Sequence, residues 1–266
     1  MFKTRLLSGI VLVLVALLTI CSGGTVLYMT VLCLSLIGAG ELFRVMKVRE
    51  DKWNLLEITG YAGVVIFYLS LLLHDPMYQM LALILDLVLL MAVYVFTYPK
   101  YNANQVMPAF FAIVYVGVML SYVYQTRMLD GGKFHVWLIF LCSWGCDTCA
   151  YCVGVLFGKH KMAPVLSPKK SIEGAVGGVV GSALLGCIYA YFFGAKMDEV
   201  SNPMVACAVA CAIAAVISQI GDLAASAIKR NHNVKDYGNL IPGHGGVLDR
   251  FDSCLLYTSD AADDTP

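Results

Sequence analysis

Asp222, Ser226, Lys229 and Arg230 fall at i, i+4, i+7 and i+8. On a helix they share one face, with Ser218 a turn above. Such a face offers an acid, a hydroxyl and two cations to a single ligand. Past Arg230, Gly238, Pro242, Gly243, Gly245 and Gly246 rule out a regular helix and let backbone amides come close to a ligand. The stretch ends in Asp249, Arg250 and Asp252. Carboxylates three apart at a helix start, opposite a third on another helix, are the donors that a divalent cation carrying phosphate oxygens requires.

Holding those groups in place takes a frame, and composition says of what kind. Hydrophobic residues make up 59% of the chain and charged residues 14%, with a mean hydropathy of +0.76. That is too apolar for a soluble domain and indicates a polytopic membrane protein. The formal net charge is zero, so nothing in it argues for nucleic acid as a partner. Apolar runs at 6–20, 25–39, 58–73, 77–97, 108–124, 136–157, 172–193 and 203–220 predict an all-α, polytopic transmembrane helical bundle with about eight spans present. Several approach the ~20 residues that cross a bilayer, and the shorter ones need tilt or local thinning. The first run fits a signal peptide or a retained helix. No small-residue cleavage site follows it and the next run begins at once, which favours a retained helix.

Basic residues give an orientation. With the N-terminus in the cytoplasm, the loops holding Arg44, Lys47, Arg49 and Lys52, then Lys100, then Lys159, Lys161, Lys169 and Lys170, then Lys229, Arg230, Lys235 and Arg250 all fall inside. The opposite loops hold little beyond Arg127, Lys133 and Lys196, so the bias and the count of spans agree. Both the loop containing Ser167 to Lys170 and the segment 221–252 are then expected at the cytoplasmic face. The cysteines lie mostly within apolar runs and read as small packing residues, the stripe Cys142, Cys146, Cys149 and Cys152 included, because one helix cannot wrap four thiolates around a metal. Gly174, Gly177, Gly178, Gly181, Ser182 and Gly186 form small-xxx-small pairs that allow close helix packing. Asp86, Asp147 and Asp222 lie in or beside apolar runs, where a carboxylate costs about 2.5 to 3.5 kcal/mol, so each needs a partner. For Asp86 a helix-helix hydrogen bond or a protonated carboxyl is expected.

The run Ser226-x-x-Lys229-Arg230-x4-Lys235-Asp236-x4-Ile241-Pro242-x-His244-Gly245-Gly246-x2-Asp249-Arg250-x-Asp252 resembles the signature of the bacterial phosphatidate cytidylyltransferases, also called CDP-diacylglycerol synthases. The resemblance continues upstream through Asp147-Thr148 and Ala150-Tyr151 to the segment 158–174, about the C-terminal half of the chain; the N-terminal half carries no motif. It implies transfer of CMP from CTP to phosphatidate, giving CDP-diacylglycerol and pyrophosphate. It implies catalytic roles for Lys229, Arg230, Lys235, Asp236, His244 and Arg250, the cations neutralising phosphate oxygens. Ser167, Lys169, Lys170, Glu173, Ser226 and Asp147 would bind substrate, and Asp222, Asp249 and Asp252 would hold Mg²⁺ with room for a second, monovalent or divalent, cation. His244 fits a tight turn as well as a hydrogen bond to phosphate. The partners implied are CTP, phosphatidate, membrane lipid and a second copy of the chain. The implied place is the bacterial inner membrane, crossed several times, with the active site toward the cytoplasm.

These readings divide the chain into N-terminal transmembrane helices at 1–134, a catalytic transmembrane region with cytoplasmic loops at 135–253, and a tail at 254–266. The tail turns polar and acidic where a further apolar helix is expected. It resembles the translation of a sequencing adapter, so the natural chain is expected to continue differently from about Cys254, into one more span. A secondary transporter with intramembrane acidic residues is the competing reading. Against it, the two halves show no self-similarity and the polar groups gather at one end. A non-catalytic scaffold would leave the Asp, Lys and His cluster without a purpose.

Overall fold

A computed structural model describes residues 2–49, 53–197, 201–241 and 245–255, the side chains of 2–7 and 252–255 excepted. Most of these residues are helical. In order they form α1 (Phe2–Ser22), α2 (Gly24–Val45), α3 (Leu55–Leu71), α4 (Pro76–Phe96), α5 (Ala103–Ala112), a π-helical segment (Ile113–Val118), α6 (Met119–Met128), α7 (Gly132–Phe157), α8 (Ile172–Phe193), a 3-10 turn (Gly194–Lys196), α9 (Pro203–Asn231) and α10 (Leu248–Leu255). Between α7 and α8, β1 (Lys161–Ala163) and β2 (Ser167–Ser171) pair antiparallel, Lys161 opposite Ser171 and Ala163 opposite Ser167.

Among the described residues six helical stretches are long and apolar enough to cross a membrane, and Ser8–Ser22 and Leu55–Leu71 are shorter apolar helices. Together they correspond to the eight runs, and the chain is an all-α, multi-pass bundle. Two details differ from the sequence reading. The fifth span begins at Ala103 rather than at Pro108, which sits inside α5, and a π turn follows it before α6. The hairpin was not expected, because Ser167-Pro-Lys-Lys-Ser171 is too short and polar for alternation to show. The expected tail from 256 onward lies outside the described residues.

The chain packs as two compact units. The first contains α1 up to Thr19, Gly24–Ser121 and His232–Arg250. Side-chain caps set its helix starts. Asn54 accepts the Glu57 N–H at 2.8 Å and donates to the Val48 carbonyl at 2.7 Å, and Asp75 accepts the Met77 N–H at 2.8 Å with Pro76 in the first turn, each satisfying an amide that the helix cannot. Leu27, Val31, Leu42, Phe43, Val64, Phe67 and Ile113 fill the core. The Tyr68 hydroxyl lies 2.7 Å from Ser35 Oγ, and the Tyr28 hydroxyl donates to the Tyr68 carbonyl at 2.8 Å. α4 turns Met80, Leu81, Ile84, Val88 and Val95 outward. Water would disfavour that surface, whereas hydrocarbon accepts it as long as the backbone is satisfied within the helix.

The second unit contains Ile20–Gly23, Tyr122–Asn231 and the described part of α10 from Phe251. Here the small residues of α8 meet α7 and α9. A Cβ on Gly178 would stand 2.9 Å from Cys146 Sγ and 3.0 Å from Ala150 Cβ, and one on Gly186 would stand 2.5 Å from Cys211 Sγ. Ser182 Oγ donates to the Cys142 carbonyl at 3.2 Å. Gln219 donates to Cys146 Sγ at 3.3 Å and to the Ala175 carbonyl at 3.0 Å, tying α9 to both neighbours. Without a hydrophobic drive between helices in lipid, such close approach and interhelical hydrogen bonding are what hold them together.

Candidate active site

The polar groups singled out by sequence occur in both units. In the second, α9 runs unbroken from Pro203 to Asn231, so Asp222, Ser226, Lys229 and Arg230 do lie on one helix. Ser218 above them is buried, and its Oγ has no hydrogen-bond partner among the described residues. Asp222 Oδ2 is ion-paired with Lys170 Nζ from near the end of β2, at 24% and 29% side-chain exposure. Residues 52 positions apart are thereby joined, an acid inside a spanning helix to the basic loop before α8.

The hairpin that carries Lys170 is itself held by Glu173. The carboxylate accepts the Lys159 N–H at 3.1 Å and the His160 N–H at 3.2 Å, and meets His160 Nδ1 at 2.6 Å. Ser171 caps α8 by accepting the Gly174 N–H at 3.1 Å. A Cβ on Gly174 would stand 2.8 Å from the Ala150 carbonyl oxygen and 3.2 Å from Gly154 Cα, so this corner closes onto α7. Glu173, expected among the substrate-binding residues, is engaged here in shaping the loop. Ser167 is half-buried, and Lys169 and Asp147 are exposed.

In the first unit the segment after α9 folds back on itself. Ile241 N–H donates to the Gly245 carbonyl at 2.8 Å. Gly245 has φ +87°, a conformation that costs a side chain dearly. Asp249, only 6% exposed, accepts the Tyr237 N–H at 2.8 Å and the Gly246 N–H at 3.0 Å through Oδ2. Beside it, Glu41 of α2 accepts the Val247 N–H at 3.0 Å and the Leu248 N–H at 2.8 Å. The Nε of Arg250 is buried with no hydrogen-bond partner among the described residues, while Lys235 and Asp236 are exposed. His244, with Pro242 and Gly243, lies outside the described residues, as does the side chain of Asp252, whose backbone belongs to α10.

Carboxylates are the right donors for a hard divalent cation. Two of the three aspartates have other partners here, Asp222 the Lys170 ammonium and Asp249 two amides. Among the described residues no group of three or more His, Cys, Asp and Glu side chains is gathered closely enough to hold a metal. Sequence reasoning passed over three residues that shape these clusters: Glu41, Gln219 and His160. Glu41 left a signal, being the one acid in the run 24–45 and as expensive there as the aspartates that were noticed. Of the two accounts expected for Asp86, a helix-helix hydrogen bond or a protonated carboxyl, the hydrogen bond is absent among the described residues: the side chain is 1% exposed, both oxygens lack a partner, and it packs against Gly63.

Six long apolar helices with outward-facing apolar side chains, packed at small residues in the second unit, define a multi-pass membrane protein. The chain belongs to the cytidylyltransferase family, whose profile matches residues 3–261. The phosphatidate cytidylyltransferase of Staphylococcus epidermidis is 33% identical to it over 259 residues, 96% of this chain and 95% of the relative. That of Staphylococcus aureus is 33% identical over 262 residues, 96% and 95% of the two chains, and that of Bacillus subtilis 30% over 262 residues, 96% and 94%. The likeness extends through the N-terminal half, where no motif was legible, and nothing in it favours the transporter reading.

Proposed function

We propose that the chain transfers the cytidylyl group of CTP to phosphatidate. A phosphate oxygen of the lipid attacks the α-phosphorus of CTP. As that bond forms, the bond from the α-phosphorus to the oxygen bridging to the β-phosphate breaks, and its electron pair leaves with pyrophosphate, giving CDP-diacylglycerol. No covalent enzyme intermediate is needed, so the protein acts by bringing two anions together and neutralising the charge that builds on the leaving group. One observation carries the reading: whole-chain similarity to phosphatidate cytidylyltransferases, which includes the polar segment 226–252.

In this reading Lys229, Arg230, Lys235 and Arg250 neutralise phosphate oxygens, and the Arg250 Nε, without a hydrogen-bond partner among the described residues, is suited to one of them. Lys169, Lys170 and Ser167 take the triphosphate or the lipid phosphate, with Ser226, Asp147, Asp236 and His244 as polar neighbours and Glu173 holding the loop. Asp222, Asp249 and Asp252 would hold Mg²⁺, with a second cation beside it, and the bound metal would screen the charge of the reacting phosphates. The Lys170 ion pair holds the Asp222 carboxylate in place until a substrate competes for the lysine. The active site faces the cytoplasm from a bacterial inner membrane, two copies associate, and nucleic acid has no part.

Membranes from cells expressing the chain, supplied with labelled CTP, phosphatidate and Mg²⁺, are expected to place label in chloroform-extractable lipid. Label no higher than in membranes lacking the chain, with the protein inserted, rejects the proposal.

A further inference from the structure

We infer that Glu41 is a positioning residue for the proposed transfer: from inside α2 its carboxylate pins the first turn of α10 and so fixes where Asp249 and Arg250 stand. The inference rests on the transfer proposed above. Glu41 is 206 and 207 residues away in sequence from the two amides that it binds, those of Val247 and Leu248, and is 5% exposed. Its two oxygens divide the work, Oε1 taking Val247 and Oε2 taking Leu248, an arrangement that a neutral side chain cannot copy. Two glycines make room for it. A Cβ on Gly238 would stand 2.8 Å from the Glu41 carboxyl carbon, and one on Gly246 2.5 Å from the same carbon.

The chemistry of the two helix ends agrees with this. A carboxylate near the C-terminal end of α2 faces that helix's own unfavourable dipole, whereas the free amides at the start of α10 favour an anion. Asp249, one residue beyond the pinned turn, reaches back in its turn to Tyr237 and Gly246. Backbone groups at 237, 246, 247 and 248 are therefore held by two carboxylates, one from the membrane helix and one from the segment itself. Losing the first leaves the second attached to a turn that is no longer anchored.

The test uses the full chain in lipid nanodiscs. In Glu41→Gln one oxygen can still accept an N–H, but the new NH2 group meets the other N–H donor to donor. Hydrogen exchange in peptides covering residues 245–250 is expected to speed up, while peptides from α3 and α4 keep the parent's protection. In parallel kcat is expected to fall about 10- to 100-fold with KM for CTP within about twofold. Gly246→Ala, which intrudes on the same carboxylate, should behave alike, and the double variant should be no worse than the more impaired single one, because both disrupt one contact. Glu57→Gln is the control, a buried acid of the same unit paired with Arg49 and expected to keep kcat. Unchanged exchange at 245–250 overturns the contact. Faster exchange with the parent's kcat, or an equal loss of kcat in Glu57→Gln, overturns the positioning role. A parent without transferase activity removes the transfer and that role together, and the exchange measurement then still decides the contact.

Discussion

Asp249→Asn separates two jobs that one side chain can have. Oδ2 accepts two backbone N–H groups, at 2.8 and 3.0 Å, in a nearly closed setting. Asparagine is the same size and its carbonyl oxygen can accept both, so the clamp survives in weaker form. Hydrogen bonds to a charged group contribute about 1.5 to 3 kcal/mol and neutral ones about 0.5 to 1.5. Two such exchanges therefore amount to roughly 2 to 3 kcal/mol, a loss that leaves the protein inserted and folded. Asp249→Ala strands both donors, at about 1 to 3 kcal/mol each, and can unfold the segment. If the carboxylate charge serves the reaction, the asparagine variant should lose about 100-fold or more in turnover despite keeping its shape. The assay is CTP-dependent labelling of lipid in membranes with matched protein content, alongside detergent thermal unfolding. An Asp249→Asn chain with the parent's turnover would refute the reasoning and leave Asp249 a purely structural clamp.

The Lys170 and Asp222 pair should behave as one unit. Lys170→Met and Asp222→Asn are each expected to lower kcat/KM, with a coupling of about 0.5 to 3 kcal/mol in the double-variant cycle, and strict additivity would deny the contact. Gly178→Val should force α7 away from α8 at Cys146 and Ala150, lowering stability by about 1 to 3 kcal/mol or more, read as a drop in the thermal midpoint in detergent. An unchanged midpoint would mean that the helices do not approach there as described. A reporter enzyme fused after Lys170 is expected to be active only when it reads the cytoplasm, and a periplasmic signal would reverse the proposed orientation.

Much of the frame was legible because a bilayer imposes so narrow a choice. Apolar runs of the right length must become helices, since hydrocarbon leaves no other way to satisfy a backbone, and all eight runs did. The continuous α9 was legible too, from the spacing of Asp222, Ser226, Lys229 and Arg230. Contacts between distant residues were not. Nothing in the pattern around Asp222 names Lys170 as its partner, because ion pairing depends on how α8 and α9 close on one another, and glycine spacing says only that they can approach. The hairpin at 161–171 escaped notice because it is held by Glu173 and His160, not by an alternating apolar face. Glu173 has a contact that its type did not announce: an acid beside two lysines invites a substrate role, and its oxygens here accept from backbone amides and meet an imidazole.

Acids buried in the first unit show how much context decides. Glu41, Glu57 and Asp86 all sit in apolar helices and are almost wholly enclosed, and by composition they are equivalent burdens of about the same insertion cost. Glu57 stands 3.5 Å from the Arg49 guanidinium, which in turn lies over the Trp53 ring at 4.5 Å, so Arg49 links the first turn of α3 to Trp53. Asp86 lies beside the bare backbone at Gly63, and among the described residues neither of its oxygens has a hydrogen-bond partner. Glu41 alone of the three reaches the polar segment, and it does so through amides rather than a cation. Those amides are closed off together with the carboxylate, which is only 5% exposed, so enclosure shields that clamp from an entering anion. The Lys170 pair is the opposite kind of contact, one that an incoming phosphate can take apart. A site that must hold its loop still while admitting a tetra-anionic nucleotide needs both kinds of contact, and Glu41, bound only through amides, fits the holding part.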